Sequence, residues 1–265
     1  MIVELIGCDG AGKTTLSRML GAHVLLEDRA VTMSDLILDR RVLRGITHPT
    51  AVNVAQEVGS LPFLLRAQRR RRAYLAFTMR MHARYAPSTY HRLNGMRGIA
   101  RRVGMYELAR SRAADRIVLS DEGTVLSAYL FGLSDVELDR SDVERFAELV
   151  PPPDRIVYVR APIASLVQRA LSRPDRRPQH AGKSRNEVER TIRRTVEVFD
   201  LVADASPLRG RVLVVDNEDG EWDRIHELAV ELASELRASA PPTGVGDARL
   251  AARVGSDPLR VEPRR

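Results

Sequence analysis

Short apolar runs alternate along this chain with longer stretches whose apolar positions recur at helical spacing. Ile2 to Ile6 is apolar except for Glu4 and ends at Gly7, the pattern of a buried strand. Thr14 to Ala22 places Leu16, Met19 and Leu20 on one helical face. Val24 to Leu26 reads as a second strand, closed by Glu27 and Asp28. Residues 51–112 read as helical, broken into pieces by Gly95, Gly98 and Gly104. Arg116 to Ser120 is a third strand, followed by Asp121, Glu122 and Gly123. Val125 to Leu133 begins a helix, and Ser141 to Leu149 is another, stopped by Pro151 to Pro153.

Arg155 to Arg160 is a fourth strand, and Pro162 suits the first turn of a helix running to about Ser172. Pro174 to Lys183 holds two prolines, a glycine and many charges, so it is irregular. Ser184 and Glu187 have the spacing of a capping box, which starts a long helix ending before Pro207. Arg211 to Val215 is a fifth strand and Glu221 to Arg237 a last helix. Residues 238–265, dominated by Pro, Gly, Ser and Arg, read as a disordered tail on a single domain of residues 1–237. Strands alternating with helices predict an α/β fold of three layers, a five-stranded parallel sheet covered on both faces.

Composition changes this picture in three ways. Hydrophobic residues are 44% of the chain, enough for a core, but aromatics are only 5%, so aliphatics must build it. The net charge is +7 and almost all of it is arginine; the only lysines are Lys13 and Lys183. Arginine-favouring codon usage accounts for that bias, and it makes a retained lysine informative. One cysteine, Cys8, excludes an intrachain disulfide and suits a reducing cytoplasm. The amino-terminal run lacks the basic flank of a signal peptide, and no segment approaches the roughly 18 apolar residues of a membrane span. A soluble cytoplasmic protein is expected.

The lysine at position 13 stands in G-C-D-G-A-G-K-T, residues 7–14, which fits the phosphate-binding pattern G-x-x-x-x-G-K-[ST]. Gly7, Gly10 and Gly12 let the backbone turn so that successive N–H groups, including those of Asp9, Ala11 and Thr15, can face phosphate oxygens. The following helix offers its positive end to the same anion. A compact ammonium, Lys13, reaches the β- and γ-phosphates where a guanidinium would not fit. The Thr14 hydroxyl is placed for Mg²⁺. ATP and Mg²⁺ are the expected cofactors.

Asp9 to Thr15, D-G-A-G-K-T-T, resembles the loop of thymidylate kinases within the wider P-loop nucleoside and nucleotide kinase superfamily. The resemblance is strongest over the first 20 residues and continues loosely over 116–124 and 156–200. It implies phosphoryl transfer to a small acceptor, with Asp9 near that acceptor. Three features depart from it. Ile6 stands where the family has Glu, Asp121-Glu122 stands where it has Asp-Arg, and no Arg-Glu-Pro-Gly segment follows the second strand. The phosphate-donor half is therefore family-like and the acceptor half is not.

Ligands of open α/β sheets bind at the carboxyl ends of strands. Asp121 there is the candidate Mg²⁺ carboxylate, with a helix cap as its plain alternative; Glu122 is the candidate to polarise the acceptor hydroxyl. Glu27 and Asp28 read as a surface pair. A cationic segment at about 169–185, with Arg169, Arg173, Arg176, Arg177, Lys183 and Arg185, resembles the lid of nucleotide kinases. Arginines closing on a transferring phosphoryl group neutralise its spread charge. The spacing of Arg169 and Arg173 puts both on one helical face, and Arg173 is the candidate finger. Asp216 and Asn217 give a weak purine-contact signal; His180 reads as exposed and Cys8 as a small filler.

Between Arg66 and Arg116 stand about 14 arginines against two acids, Glu107 and Asp115, interleaved with Tyr74, Phe77, Tyr85 and Tyr90. A solvated face, an acceptor site within 28–112, a nucleic acid or an anionic membrane surface all fit this segment. Zinc spacing, a helix-turn-helix signature and an aromatic RNA motif are not found. The leading expectation is an ATP- and Mg²⁺-dependent kinase of a small molecule, nucleotide-like first and a sugar or lipid-linked compound second. The alternatives are an NTP-binding regulatory or assembly ATPase and a nucleic-acid end kinase or binder. A homodimer is left open.

Overall fold

The computed structural model describes residues 1–22, 30–33, 36, 49–86, 88–113, 116–133, 136–173, 180–218 and 222–239. The strands are β1 (Ile2–Ile6), β2 (Ala30–Thr32), β3 (Ile117–Ser120), β4 (Arg155–Arg160) and β5 (Val212–Asp216). They form one sheet in the order β2-β3-β1-β4-β5, and every pairing is parallel. All five residues of β1 are buried, as a central strand covered on both faces requires. The expected second strand at Val24 to Leu26 lies outside the described residues, as do Glu27 and Asp28; the strand beside β3 is Ala30–Thr32.

The helices are α1 (Lys13–Ala22), α2 (Pro49–Ala67), α3 (Arg72–Tyr85), α4 (Thr89–Arg112), α5 (Tyr129–Leu133), α6 (Arg140–Leu149), α7 (Ile163–Ser172), α8 (Arg185–Asp204), α9 (Ser206–Arg209) and α10 (Trp222–Ser239). Helix α1 packs against α10, while α5 and α7 pack against α8. The expected three-layer α/β arrangement is therefore present, with α2, α3 and α4 as its helical insertion.

Local chemistry explains most boundaries. The Ser184 hydroxyl accepts from Glu187 N and the Glu187 carboxylate accepts from Ser184 N, so the predicted capping box starts α8. Asp139 accepts from Ser141 N at 2.9 Å and caps α6. Residues 125–128 form a 3₁₀ turn rather than the first turn of an α-helix. Ser239 is still helical, so α10 runs two residues into the expected tail; residues 240–265 lie outside the described residues.

Gly95, Gly98 and Gly104 do not break the helical segment; all three lie inside α4. Two of them serve close packing instead. A Cβ at Gly95 would run into the His82 ring of α3, and one at Gly104 would lie 2.6 Å from the Ser60 carbonyl oxygen of α2. Glycine was retained there for proximity, at a helix-propensity penalty of about 1 kcal/mol each.

The few aromatics are concentrated under the insertion. Tyr85 and Phe131 meet edge-on at 5.2 Å, Phe131 and Phe146 at 5.8 Å, and Tyr74 and Phe146 at 6.0 Å. This chain of rings joins α3, α5 and α6. The Tyr74 hydroxyl donates to Thr124 O at 3.3 Å, tying α3 to the segment that follows β3.

Candidate active site

The loop between β1 and α1 has the conformation its glycines permit. Gly7, Gly10 and Gly12 take φ values of +133°, +85° and +104°, in the left-handed half of the map. A Cβ at Gly7 would collide with the Val159 carbonyl of β4, and one at Gly12 would lie 2.7 Å from Asn217 Nδ2. The Lys13 ammonium donates to Gly7 O and to Cys8 O, both at 2.7 Å, which holds it over the loop. Helix α1 begins at Lys13, so its positive end faces the same space. The loop has the geometry of a phosphate-binding loop.

A cavity of about 710 Å³ opens over the loop. Gly7, Asp9, Gly10, Gly12, Lys13, Thr14 and Thr15 line its floor, Asp121 and Glu122 one wall, and Arg169 and Arg173 another. Ala11 is fully buried and does not line it; its N–H donates to Cys8 O at 3.2 Å, within the loop. The other loop residues share this one space with Asp121, Glu122, Arg169 and Arg173.

The charges there are arranged around the loop. Burial, and next the neighbouring Glu122, raise the Asp121 carboxyl above its ordinary value, while Lys13 and Arg18 pull it down. Glu122 is itself held by Arg101 of α4 at 2.6 Å, so its carboxylate is already paired. Arg169 Nη1 donates to Gly10 O at 2.8 Å and braces the loop from α7. Arg173 does not share a helical face with Arg169. It caps α7 in an extended conformation (φ −67°, ψ 130°), because the residue before a proline is driven out of the helical region. Arg176 and Arg177 lie outside the described residues, and Arg185 is exposed at the start of α8.

Residues from distant elements complete the site. Asn217 is buried and Nδ2 donates to Ala11 O at 2.7 Å, so the end of β5 is tied to the loop. Asp216 instead pairs with Arg160 at 2.8 Å on the outside of the sheet. His180, expected to be exposed, is 4% exposed, with Nε2 3.9 Å from Asp9 Oδ2 of the loop. Lys183 donates to Thr191 Oγ1 at 3.4 Å, and Thr191 lines the cavity. Arg102, from the arginine-rich segment, lines the far wall with its guanidinium 5.8 Å from the centre of the Tyr129 ring. Arg102 was hidden in the sequence among many arginines, whereas Tyr129 falls within the predicted helix of Val125 to Leu133 with nothing to mark it as facing a site.

Cys8 is filler, as expected. Its thiol is buried and pushed up to about 12 by that burial, so it is a poor nucleophile. Glu4 was passed over as an acid in an apolar strand. It is 1% exposed, accepts from Leu126 N at 2.6 Å, and burial pushes its carboxyl up to about 7. It anchors the segment that carries Leu126 and Tyr129 into the cavity.

No protein-family model matches the chain, and no curated protein matches it either. Solved structures do resemble it in chain path. Shikimate kinase from Bacteroides thetaiotaomicron is 14% identical, with 89% of this chain and 98% of that one covered at a TM-score of 0.43. A deoxyadenosine kinase from M. mycoides is also 14% identical, covering 90% and 100% at 0.45. Thymidylate kinase from Candida albicans is 10% identical, covering 89% and 92% at 0.43. What the site can do is therefore read from its own residues.

Among the described residues no cluster of three or more His, Cys, Asp or Glu side chains could hold a metal alone. Mg²⁺ takes one or two protein oxygens and completes its shell with water and phosphate. The Thr14 hydroxyl and the Asp121 carboxylate are hard oxygen donors on the same cavity.

Proposed function

We propose that this protein is a kinase that moves the γ-phosphoryl group of ATP, with Mg²⁺, to a small-molecule acceptor. The observation that supports it is a compact ammonium, Lys13, pinned over a loop of left-handed glycines. Three carboxylates, Asp9, Asp121 and Glu122, and two arginines, Arg169 and Arg173, face the same cavity. The loop N–H groups and Lys13 bind the donor phosphates. Thr14 and Asp121 hold Mg²⁺, which when bound neutralises charge on the β- and γ-oxygens. Arg173 closes on the transferring group, and Arg169 keeps the loop in the conformation that receives it. Asp9 and Glu122 face the acceptor, and Glu122, oriented by Arg101, polarises the acceptor hydroxyl.

Arg102, Leu126, Tyr129, Leu133 and Phe199 line the acceptor side. A flat ring against Tyr129 with an anionic group near Arg102 suits this wall, so a nucleotide or nucleoside is the first candidate. The free buried thiol of Cys8 is consistent with the cytoplasm as its compartment.

A coupled ADP-release screen over nucleosides, nucleotides and sugars tests the reading. At least one acceptor should raise ADP release well above the rate without acceptor, and Lys13→Ala should lower it by at least about 100-fold. ADP release indifferent to every acceptor would favour the regulatory ATPase instead. Near-normal turnover of Lys13→Ala would remove the mechanism.

A further inference from the structure

Helix α2 is built inside out. Its inner side carries Gln56, Ser60 and Ala67, at 7%, 2% and 0% exposure, and Ser60 meets Gly104 of α4. Its outer side carries Val54, Val58, Leu61 and Leu65, at 46%, 67%, 49% and 61% exposure. The 4-3-4 spacing puts these four aliphatics in one stripe. At 100° per residue that stripe lies nearly opposite the buried side. A helix that faced only its own core and water would have the reverse pattern.

The neighbouring helix extends the stripe at one end. Glu57 pairs with Arg97 at 2.8 Å, Ser60 lies against Gly104 and Phe63 lies under Arg112, so α2 and α4 run side by side in the same direction. That alignment sets the exposed Tyr90 and Leu93 of α4, at 68% and 63% exposure, near the amino-terminal end of α2. At the other end the two helices bring arginines together. Arg66, Arg69, Arg70, Arg72, Arg110 and Arg112 are all exposed there, and Arg112 stacks over Phe63 of α2 at 5.6 Å. Among the described residues the acid at this end is Glu107, which is buried and engaged by Arg70 and Arg71 at 3.0 and 2.8 Å.

An occupant of this face must offer apolar surface and negative charge together. A nucleic acid satisfies the arginines and leaves the aliphatic stripe in water. A second copy satisfies the stripe. Antiparallel pairing, however, would set each arginine end against the partner's residues 49–56, which contain no acid, and Glu57 is already paired. An anionic lipid surface offers both, with acyl chains below the phosphates. No described helix is long and apolar enough to cross a membrane, so the contact is one of lying on the surface.

We infer that the α2–α4 face docks this protein on an anionic bilayer, with the stripe at the acyl boundary and the arginine cluster on lipid phosphates. The docking is independent of the kinase chemistry, since none of these side chains lines the cavity. Each arginine near such a surface contributes roughly fivefold to binding, and salt beyond a Debye length of about 10 Å screens it.

The test is co-sedimentation of the full chain with vesicles of phosphatidylcholine and phosphatidylserine in equal parts, against phosphatidylcholine alone. The protein should pellet with the anionic vesicles at least about tenfold more strongly. The double variant Val58→Glu/Leu65→Glu should lose this binding while its melting curve and ADP release stay unchanged, because both sites are exposed. Arg69→Gln/Arg72→Gln should lose roughly 25-fold and show a shallower salt dependence. Equal or absent pelleting with both vesicles overturns the inference. So does a dimer in light scattering that Val58→Glu/Leu65→Glu dissociates without any vesicle binding. RNA binding untouched by that double variant, again without vesicle binding, overturns it as well.

Discussion

Glu4 offers a sharp test of the packing around the site. It sits on the central strand with its carboxylate against the segment 123–126, where a Cβ on Gly123 would strike it. Leu126 N donates to it at 2.6 Å, and Arg102 is the nearby cation. Burial outweighs both and raises its pKa from 4.5 to about 7. For a carboxyl raised on folding, the unfolded chain ionises first as pH rises. The stability held below pH 4.5 is therefore lost progressively up to about pH 7. The full loss is roughly 3 kcal/mol, of which about 2.5 kcal/mol falls between pH 5 and pH 8. Glu4→Gln cannot ionise, so it should lack this component, whatever constant offset its amide introduces. Urea melts of both proteins at pH 5 and pH 8 read the difference directly. The gap in unfolding free energy should move by about 2.5 kcal/mol in favour of the variant as pH rises. In thermal melts this is a relative shift of roughly 5–10 °C. Parallel pH profiles would show that Glu4 is not buried as an uncompensated acid, and the account of the 123–126 segment would fall.

Three further outcomes follow from the site. Asp121→Asn should raise the magnesium concentration needed for half-maximal turnover and lower the maximal rate about 100-fold; superimposable magnesium titrations refute its role. Gly12→Ala forces a side chain at φ +104° and towards Asn217, straining the loop by about 1–2 kcal/mol. It should weaken ATP binding about tenfold, as read by competition with a fluorescent nucleotide. Cys8 in the native protein should resist iodoacetamide at pH 8 and react once guanidinium unfolds the chain, with mass spectrometry counting the adducts; fast native labelling contradicts its burial.

Local pattern alone marked out the glycine loop and the helix that follows it. Gly7, Gly10 and Gly12 stand where a backbone must turn left-handed, Lys13 and Thr14 follow at the start of a helix, and an apolar strand precedes them; each of these requirements lies within a few residues. The capping box at Ser184 is legible for the same reason, because Ser184 and Glu187 satisfy each other's backbone. The α/β alternation and the parallel sense of the sheet follow from the pattern of short apolar runs, although that pattern could not rank the order of the strands.

What lies far apart in the chain was decided by packing. Arg169 reaches Gly10 across 159 positions and Asn217 reaches Ala11 across 206, and neither has a local signature. His180 reads as polar and exposed, yet it is buried with its ring beside Asp9. Arg102 is separated from the other arginines of its segment only by facing Tyr129. The glycines of α4 look like breaks until the side chains they admit, His82 and Ser60, are in place. A residue's type and spacing fix which backbone it can adopt. Its burial, its partner and therefore its charge depend on what the rest of the fold brings within a few ångströms, and that only the tertiary structure supplies.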